Sequence, residues 1–253
     1  MTIEWDTRVM DASELLEALR HDSAALLAAA HAADPTAAIV ACPGWRPVDL
    51  VWHIGDVHWF WSTIVADRLA GPDAYVEPDR PDADDDVFAF AEQAAVRLDD
   101  ALSRTDPSTE VWTWSEPHNA GFVIRRMAHE TAVHRVDAER AAGRDHRIDA
   151  ELAADGVDEF LTHFLRWTAK DAEPVGGRVH LHCGDTPGEW TVTTDDDAGW
   201  IVAREHSKGD AALRGDAHEL LMVLWRRTPL DTVQLFGDRD VAERFVAHTD
   251  LSG

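Results

Sequence analysis

Apolar residues recur at helical spacing along the N-terminal half of the chain. This periodicity predicts helices over residues 11–33, 47–69, 87–104 and 122–142. Asp11 and Glu14 form a D-x-x-E capping box at the start of the first helix, and Gly71-Pro72 is a stop signal after the second. Four helices joined by two longer polar connections indicate a four-helix bundle.

The second predicted helix carries a histidine within its apolar series. Its inward side is predicted to contain residues at spacings of three and four: Leu50, His53, Val57, Trp61 and Ile64. A buried imidazole without a partner is costly, so His53 is expected to bind a metal ion or to form a hydrogen bond. His58 lies roughly 140° further round the helix, which makes it a poor partner for His53 on one ion.

In the second half of the chain the period shortens from helical spacing to two. A helix from Glu151 to Trp167 is followed by predicted strands and two closing helices. The strands are Arg178–Cys183, Glu189–Thr194, Trp200–Glu205 and 209–215, and the helices are Asp216–Arg227 and Asp238–Ala247. We therefore expect a small α+β unit with a meander-like sheet, and two domains, 1–148 and 149–253.

Charge and cysteine content exclude several classes of partner and of binding site. The chain has 253 residues and a net charge of -25, with 48 acidic and 23 basic residues. This balance argues against nucleic acid and anionic membranes as partners. There is no apolar run of the ~20 residues that a membrane span needs, and the N-terminus is unlike a signal peptide, so a cytoplasmic location is expected. Two cysteines without a CxxC pair argue against a disulfide framework and a thiolate zinc site.

The fourth predicted helix contains a candidate metal site. Glu130, His134 and Asp137 lie at i, i+4 and i+7 and so share one face. A carboxylate and an imidazole one turn apart can bind a single divalent cation, with His53 as the third ligand. The alternatives are a surface ion pair and a core histidine with one hydrogen-bond partner. For Asp137 we consider a fourth ligand, a surface charge and, as the favoured role, a support for His134.

Two histidines and one carboxylate leave coordination positions open on a metal ion. A structural zinc site usually fills all four positions with protein ligands. An open site instead suits Lewis-acid chemistry, or the activation of a bound water or thiol.

Three separated blocks resemble the mycothiol-dependent maleylpyruvate isomerase family. They are CPGWRPVDLVWHIGDVHWFW, RRMAHETAVHRVDAE and LRGDAHELLMVLWRRTPLDTVQLFGD. The resemblance implies a DinB-like four-helix bundle followed by a sterol-carrier-like α+β domain. It also implies that His53, Glu130 and His134 hold a divalent metal, expected to be zinc, and that mycothiol is the thiol cosubstrate.

The same resemblance implies an enzyme that activates a thiolate on the metal. The expected reaction is cis–trans isomerisation, as of maleylpyruvate to fumarylpyruvate, or S-transfer to a small electrophilic or unsaturated acid. An arginine of the C-terminal domain is expected at the site, with Arg214 as the best match and Arg226 or Arg227 as alternatives. The competing interpretations are a metal-dependent hydrolase on the same fold and a non-catalytic ligand-binding protein with a structural metal. The protein is expected to be a monomer or a homodimer.

Overall fold

The computed structural model describes residues 10–167, 173–195 and 199–251. The chain divides into two compact units, each described separately below. One is Asp11–Arg147, and the other comprises Met10 and the residues from Ile148 onward. Within the described ranges, no helix combines the length and the apolar character that crossing a membrane requires.

The N-terminal unit consists of long helices in the predicted order. They are α1 (Ala12–Ala32), α2 (Pro47–Asp67), α3 (Asp84–Ser103) and α4 (Ala120–Ala141). Helix α1 packs mainly against α4, and α2 against α3. Fully buried side chains from each helix, including Leu26, Leu50, Leu98 and Ile124, fill the space between them. The predicted four-helix region is therefore confirmed.

Side-chain caps fix where several helices begin. The predicted capping box of α1 is present, because the Asp11 carboxylate accepts from the backbone N–H of Glu14 and the Glu14 carboxylate accepts from that of Asp11. Helix α4 begins two residues earlier than predicted, since the side chain of Asn119 accepts from the N–H of Phe122. Helix α2 ends before Gly71, because Arg68 adopts a left-handed conformation with φ of 50°.

A glycine brings α2 and α3 close together. A Cβ atom at Gly55 would lie 3.1 Å from the backbone Cα of Ala91 and 3.1 Å from the ring of Phe90. A larger residue would push the two helices apart. Since Gly55 is two residues after His53, this contact helps to set the position of that histidine.

The C-terminal unit begins with a helix and continues into a sheet. Helix α5 (Ala150–Glu159) is extended by a π-helical segment, Phe160–Phe164, and a 3₁₀ turn, Leu165–Trp167. The later elements are β1 (Val179–Cys183), β2 (Glu189–Asp195), β3 (Gly199–Ala203), β4 (Ala211–Gly215), α6 (Ala217–Leu224), β5 (Gln234–Gly237) and α7 (Arg239–Ala247). Over the described residues the strand order is β3-β2-β1-β4-β5.

The sheet differs from the predicted meander in two ways. Strands β1 and β4 pair in parallel, with Leu181 opposite Leu213, whereas the other neighbours are antiparallel. Strand β5 was not predicted, because the strand has only four residues and most of them are exposed. Parallel pairing joins strands that are distant in the chain, so local alternation does not reveal it. The mixed α and β composition of this unit is as predicted.

Candidate metal centre

Helix α4 brings Glu130 and His134 together on one face. They lie four residues apart, and Nε2 of His134 is 3.3 Å from Oε1 of Glu130. The helix is largely buried, and the His134 residue is only 7% exposed. The spacing in the sequence therefore predicted this contact correctly.

Helix α2 adds His53 to the same carboxylate oxygen. Its Nε2 lies 3.2 Å from Oε1 of Glu130, and its ring centroid is 5.1 Å from that of His134. The ligand atoms of the three residues all lie within 4.8 Å of one another. Residues 77 positions apart in sequence thus meet at one point.

His53 does not lie in the buried stripe of α2, contrary to prediction. Its side chain is 32% exposed, whereas Ile54, His58 and Trp61 are buried. The buried face follows spacings of three and four from Val51, so His53 falls at its edge. An edge position leaves the imidazole accessible to a ligand from solvent.

The buried histidine of α2 is instead His58. Its Nε2 and Oγ1 of Thr131 are 2.9 Å apart and form a hydrogen bond. Burial lowers the pKa of His58 to about 4, so its imidazole is neutral near pH 7. His58 contacts Thr131, the residue after Glu130, and is not one of the candidate ligands of the centre.

Asp137 orients His134 from the opposite side of the ring. Its side chain is 1% exposed, and its Oδ2 lies 2.9 Å from Nδ1 of His134. The burial rules out the surface-charge alternative. A proton on Nδ1 donated to this carboxylate makes Nε2, the atom nearer Glu130, the nitrogen that would bind a metal after losing its own proton.

Positive charge and hydrogen bonds around Glu130 keep its carboxylate ionised. Burial by itself would raise the pKa of Glu130, but Arg126, His134 and His53 together hold it well below its usual range. The closest of these contacts joins Nη2 of Arg126 to Oε2 at 2.7 Å. For His134, burial lowers the pKa, while the bonds to Asp137 and Glu130 raise it overall. A cation entering the centre would meet a carboxylate that is already deprotonated.

Two neighbours of the centre were missed in the sequence. Arg126 could have been found, since it lies four residues before Glu130 on the same helix. Cys42 could not, because it comes from the loop before α2; its Sγ lies within 4.8 Å of ligand atoms of His134 and Asp137. The absence of a CxxC pair suggested that no thiolate would take part, yet the fold brings a thiol beside the centre.

The candidate arginines all belong to the C-terminal unit. Arg214 is an exposed residue of β4, paired in register with His182 and Gln234. Over the part of the chain that the structure describes, its guanidinium makes no hydrogen bond or ion pair. Arg226 donates to the carbonyl of Val246, and Arg227 to that of Trp225. The role assigned to Arg214 stays a prediction.

Two family descriptions match most of the sequence. Residues 16–139 match the "Mycothiol maleylpyruvate isomerase N-terminal domain", and residues 151–244 match the "MDMPI C-terminal domain". No curated protein matches the chain significantly.

Two solved structures share the fold. A histidine-to-alanine variant of the mycothiol-dependent maleylpyruvate isomerase is similar with a TM-score of 0.64 and 16% identity, over 89% of this chain and 93% of that one. A second structure of that isomerase gives a TM-score of 0.58, with the same identity and coverage. Because the two family domains together match most of its residues, the chain belongs to the mycothiol-dependent maleylpyruvate isomerase family.

Proposed function

We propose that this chain is a metal-dependent enzyme that uses mycothiol for cis–trans isomerisation or for S-transfer to a small electrophile. Membership of the family supports mycothiol as the cosubstrate. The candidate ligands are His53, Glu130 and His134, and zinc is the proposed metal.

The observation that carries the proposal is the convergence of two imidazoles on one carboxylate oxygen. Nε2 of His53 and Nε2 of His134 lie 3.2 Å and 3.3 Å from Oε1 of Glu130. Two nitrogens and one oxygen are a ligand set that suits zinc. Asp137 fits the same interpretation, because metal-bound histidines usually donate their second N–H to a carboxylate or carbonyl.

Each residue has a separate task in this proposal. A divalent metal bound by the trio would supply Lewis-acid chemistry that lowers the pKa of a thiol. Arg126 keeps the Glu130 carboxylate ionised and in place through its 2.7 Å contact. Asp137 holds the ring of His134 in one tautomer and one orientation.

The proposed isomerisation consumes and returns the same thiol. The sulfur adds to one carbon of a conjugated cis double bond, and the resulting single bond rotates. Elimination of the sulfur then re-forms the double bond in the trans configuration. S-transfer would begin with the same attack and keep the new carbon–sulfur bond. Arg214 is the proposed cation for a substrate carboxylate, since a guanidinium can bind one through two hydrogen bonds.

Metal content tests the site. We expect His53→Ala and Glu130→Gln each to lose about one equivalent of zinc relative to wild type when loaded and dialysed protein is assayed by elemental analysis. His21→Gln is the matched control, because its side chain is 76% exposed and it also contacts a carboxylate. Wild-type zinc content in both ligand variants would contradict the proposed centre.

A further inference from the structure

A second group of metal-binding side chain types lies on the sheet of the C-terminal unit. His180 and His182 are alternate residues of β1, so their side chains leave the same face. Glu189 on β2 is the cross-strand partner of His182, and His206 follows β3. None of the four has a part in the function proposed above.

The Glu189 carboxylate is the centre of this group. Its Oε2 lies 2.7 Å from Nδ1 of His206 and 3.4 Å from Nε2 of His180, and its Oε1 contacts Nδ1 of His182 directly. One ligand atom from each of the four residues lies within 4.8 Å of all the others. Three nitrogens and one oxygen therefore surround a common point.

Among the described residues, no permanently charged side chain contacts the buried carboxylate of Glu189. Its side chain is 2% exposed, and among the described residues its polar partners are the three imidazoles, with no lysine or arginine. A buried carboxylate is costly unless its charge is compensated. A divalent cation held by the carboxylate and the imidazoles would compensate this charge.

His180 adds an independent observation. The residue is 8% exposed, and its Nε2 is buried and makes no hydrogen bond within the described parts of the chain. A buried nitrogen left in this way is costly. Its 3.4 Å separation from Glu189 Oε2 is too long for a good hydrogen bond but leaves room for an ion bound by both.

We propose that His180, His182, Glu189 and His206 form a second site for a divalent transition-metal ion, with zinc as the best match. Four protein ligands of this kind complete a tetrahedral shell, which is typical of a structural zinc site. The ion would tie β1 to β2 and to the segment after β3. Its role is to stabilise the C-terminal unit rather than to act on substrate.

Zinc stoichiometry of the full chain tests the second site separately from the first. We expect about two equivalents in wild type, about one in His206→Gln, about one in His53→Ala, and almost none in the double variant. His206 has a side chain that is 62% exposed, so we expect its replacement to leave the fold intact. The matched control is His146→Gln, whose side chain is 68% exposed and pairs with Glu139; it should keep both equivalents.

Cobalt and thermal unfolding give a second measure. Cobalt-loaded His53→Ala should show the intense visible absorption of a four-coordinate ion, and His53→Ala/His206→Gln should lose it. Zinc should raise the Tm of His53→Ala but not that of the double variant. Equal zinc content in wild type and His206→Gln would overturn the second site. If only the centre on α2 and α4 is wrong, wild type will bind one equivalent that His206→Gln loses and His53→Ala keeps.

Discussion

Asp137 acts on the metal centre through His134, which gives a prediction at the scale of one residue. Oδ2 of the buried Asp137 carboxylate lies 2.9 Å from Nδ1 of the His134 ring. Asp137→Asn preserves shape but removes the charge, and we expect ~10–100-fold weaker zinc binding by competition with a chelating dye. Asp145→Asn is the matched control, because that side chain is 75% exposed. Unchanged affinity in Asp137→Asn would assign Asp137 to packing alone.

His58 makes the stability of the metal-free protein depend on pH. Its pKa is lowered from 6.5 to about 4, so the unfolded chain binds more protons than the folded one between these values. Stability should therefore fall as the pH drops from about 6.5 to about 4, by about 3 kcal/mol at ~1.4 kcal/mol per pH unit.

Urea unfolding at several pH values, with and without His58→Gln, measures this contribution. The variant should have a flatter pH profile over that window, while His21→Gln should follow wild type, because His21 is 76% exposed. A His58→Gln profile parallel to wild type would show that His58 is not the responsible group.

At the scale of elements, the close approach of α2 and α3 depends on Gly55. A Cβ there would lie 3.1 Å from backbone and side-chain atoms of Ala91. We expect Gly55→Leu to lower the free energy of unfolding by about 1–3 kcal/mol and to weaken zinc binding through displacement of His53. Ala66→Leu, on an exposed face of the same helix, should change stability by less than about 0.5 kcal/mol. Similar losses in both variants would show that the helix contact is not the cause.

Local patterns predicted those elements whose signals lie within a few residues. The capping box of Asp11 and the i, i+4 spacing of Glu130 and His134 are examples, and both contacts form as expected. The phase of α2 was read one residue away from its true buried face, because apolar and aromatic residues surround that helix on most sides. The wrong helix phase therefore led to His53, which the structure places beside Glu130; its role as a metal ligand stays a prediction.

Contacts between segments that are distant in the chain could not be predicted from such local patterns. The position of Cys42 beside His134 depends on how a loop folds back on α4. The cluster around Glu189 depends on the register of β1 with β2 and on the path of the chain after β3. Strand pairing of this kind is decided by tertiary packing rather than by local sequence.

At the scale of the whole molecule, the excess of acidic residues predicts no affinity for nucleic acid. The net charge is -25, and phosphate binding requires clustered basic side chains. Fluorescence anisotropy with labelled duplex DNA at low salt should show no binding at micromolar protein. Saturable binding that weakens with added salt would contradict this expectation.

The central claim is that the trio of His53, Glu130 and His134 holds a metal that activates mycothiol. The most direct measurement is a calorimetric titration of mycothiol into zinc-loaded protein, metal-free protein and zinc-treated His53→Ala. We predict binding with proton release only for zinc-loaded wild type, because a thiol loses its proton when it binds zinc. Equal binding to all three proteins would contradict the account.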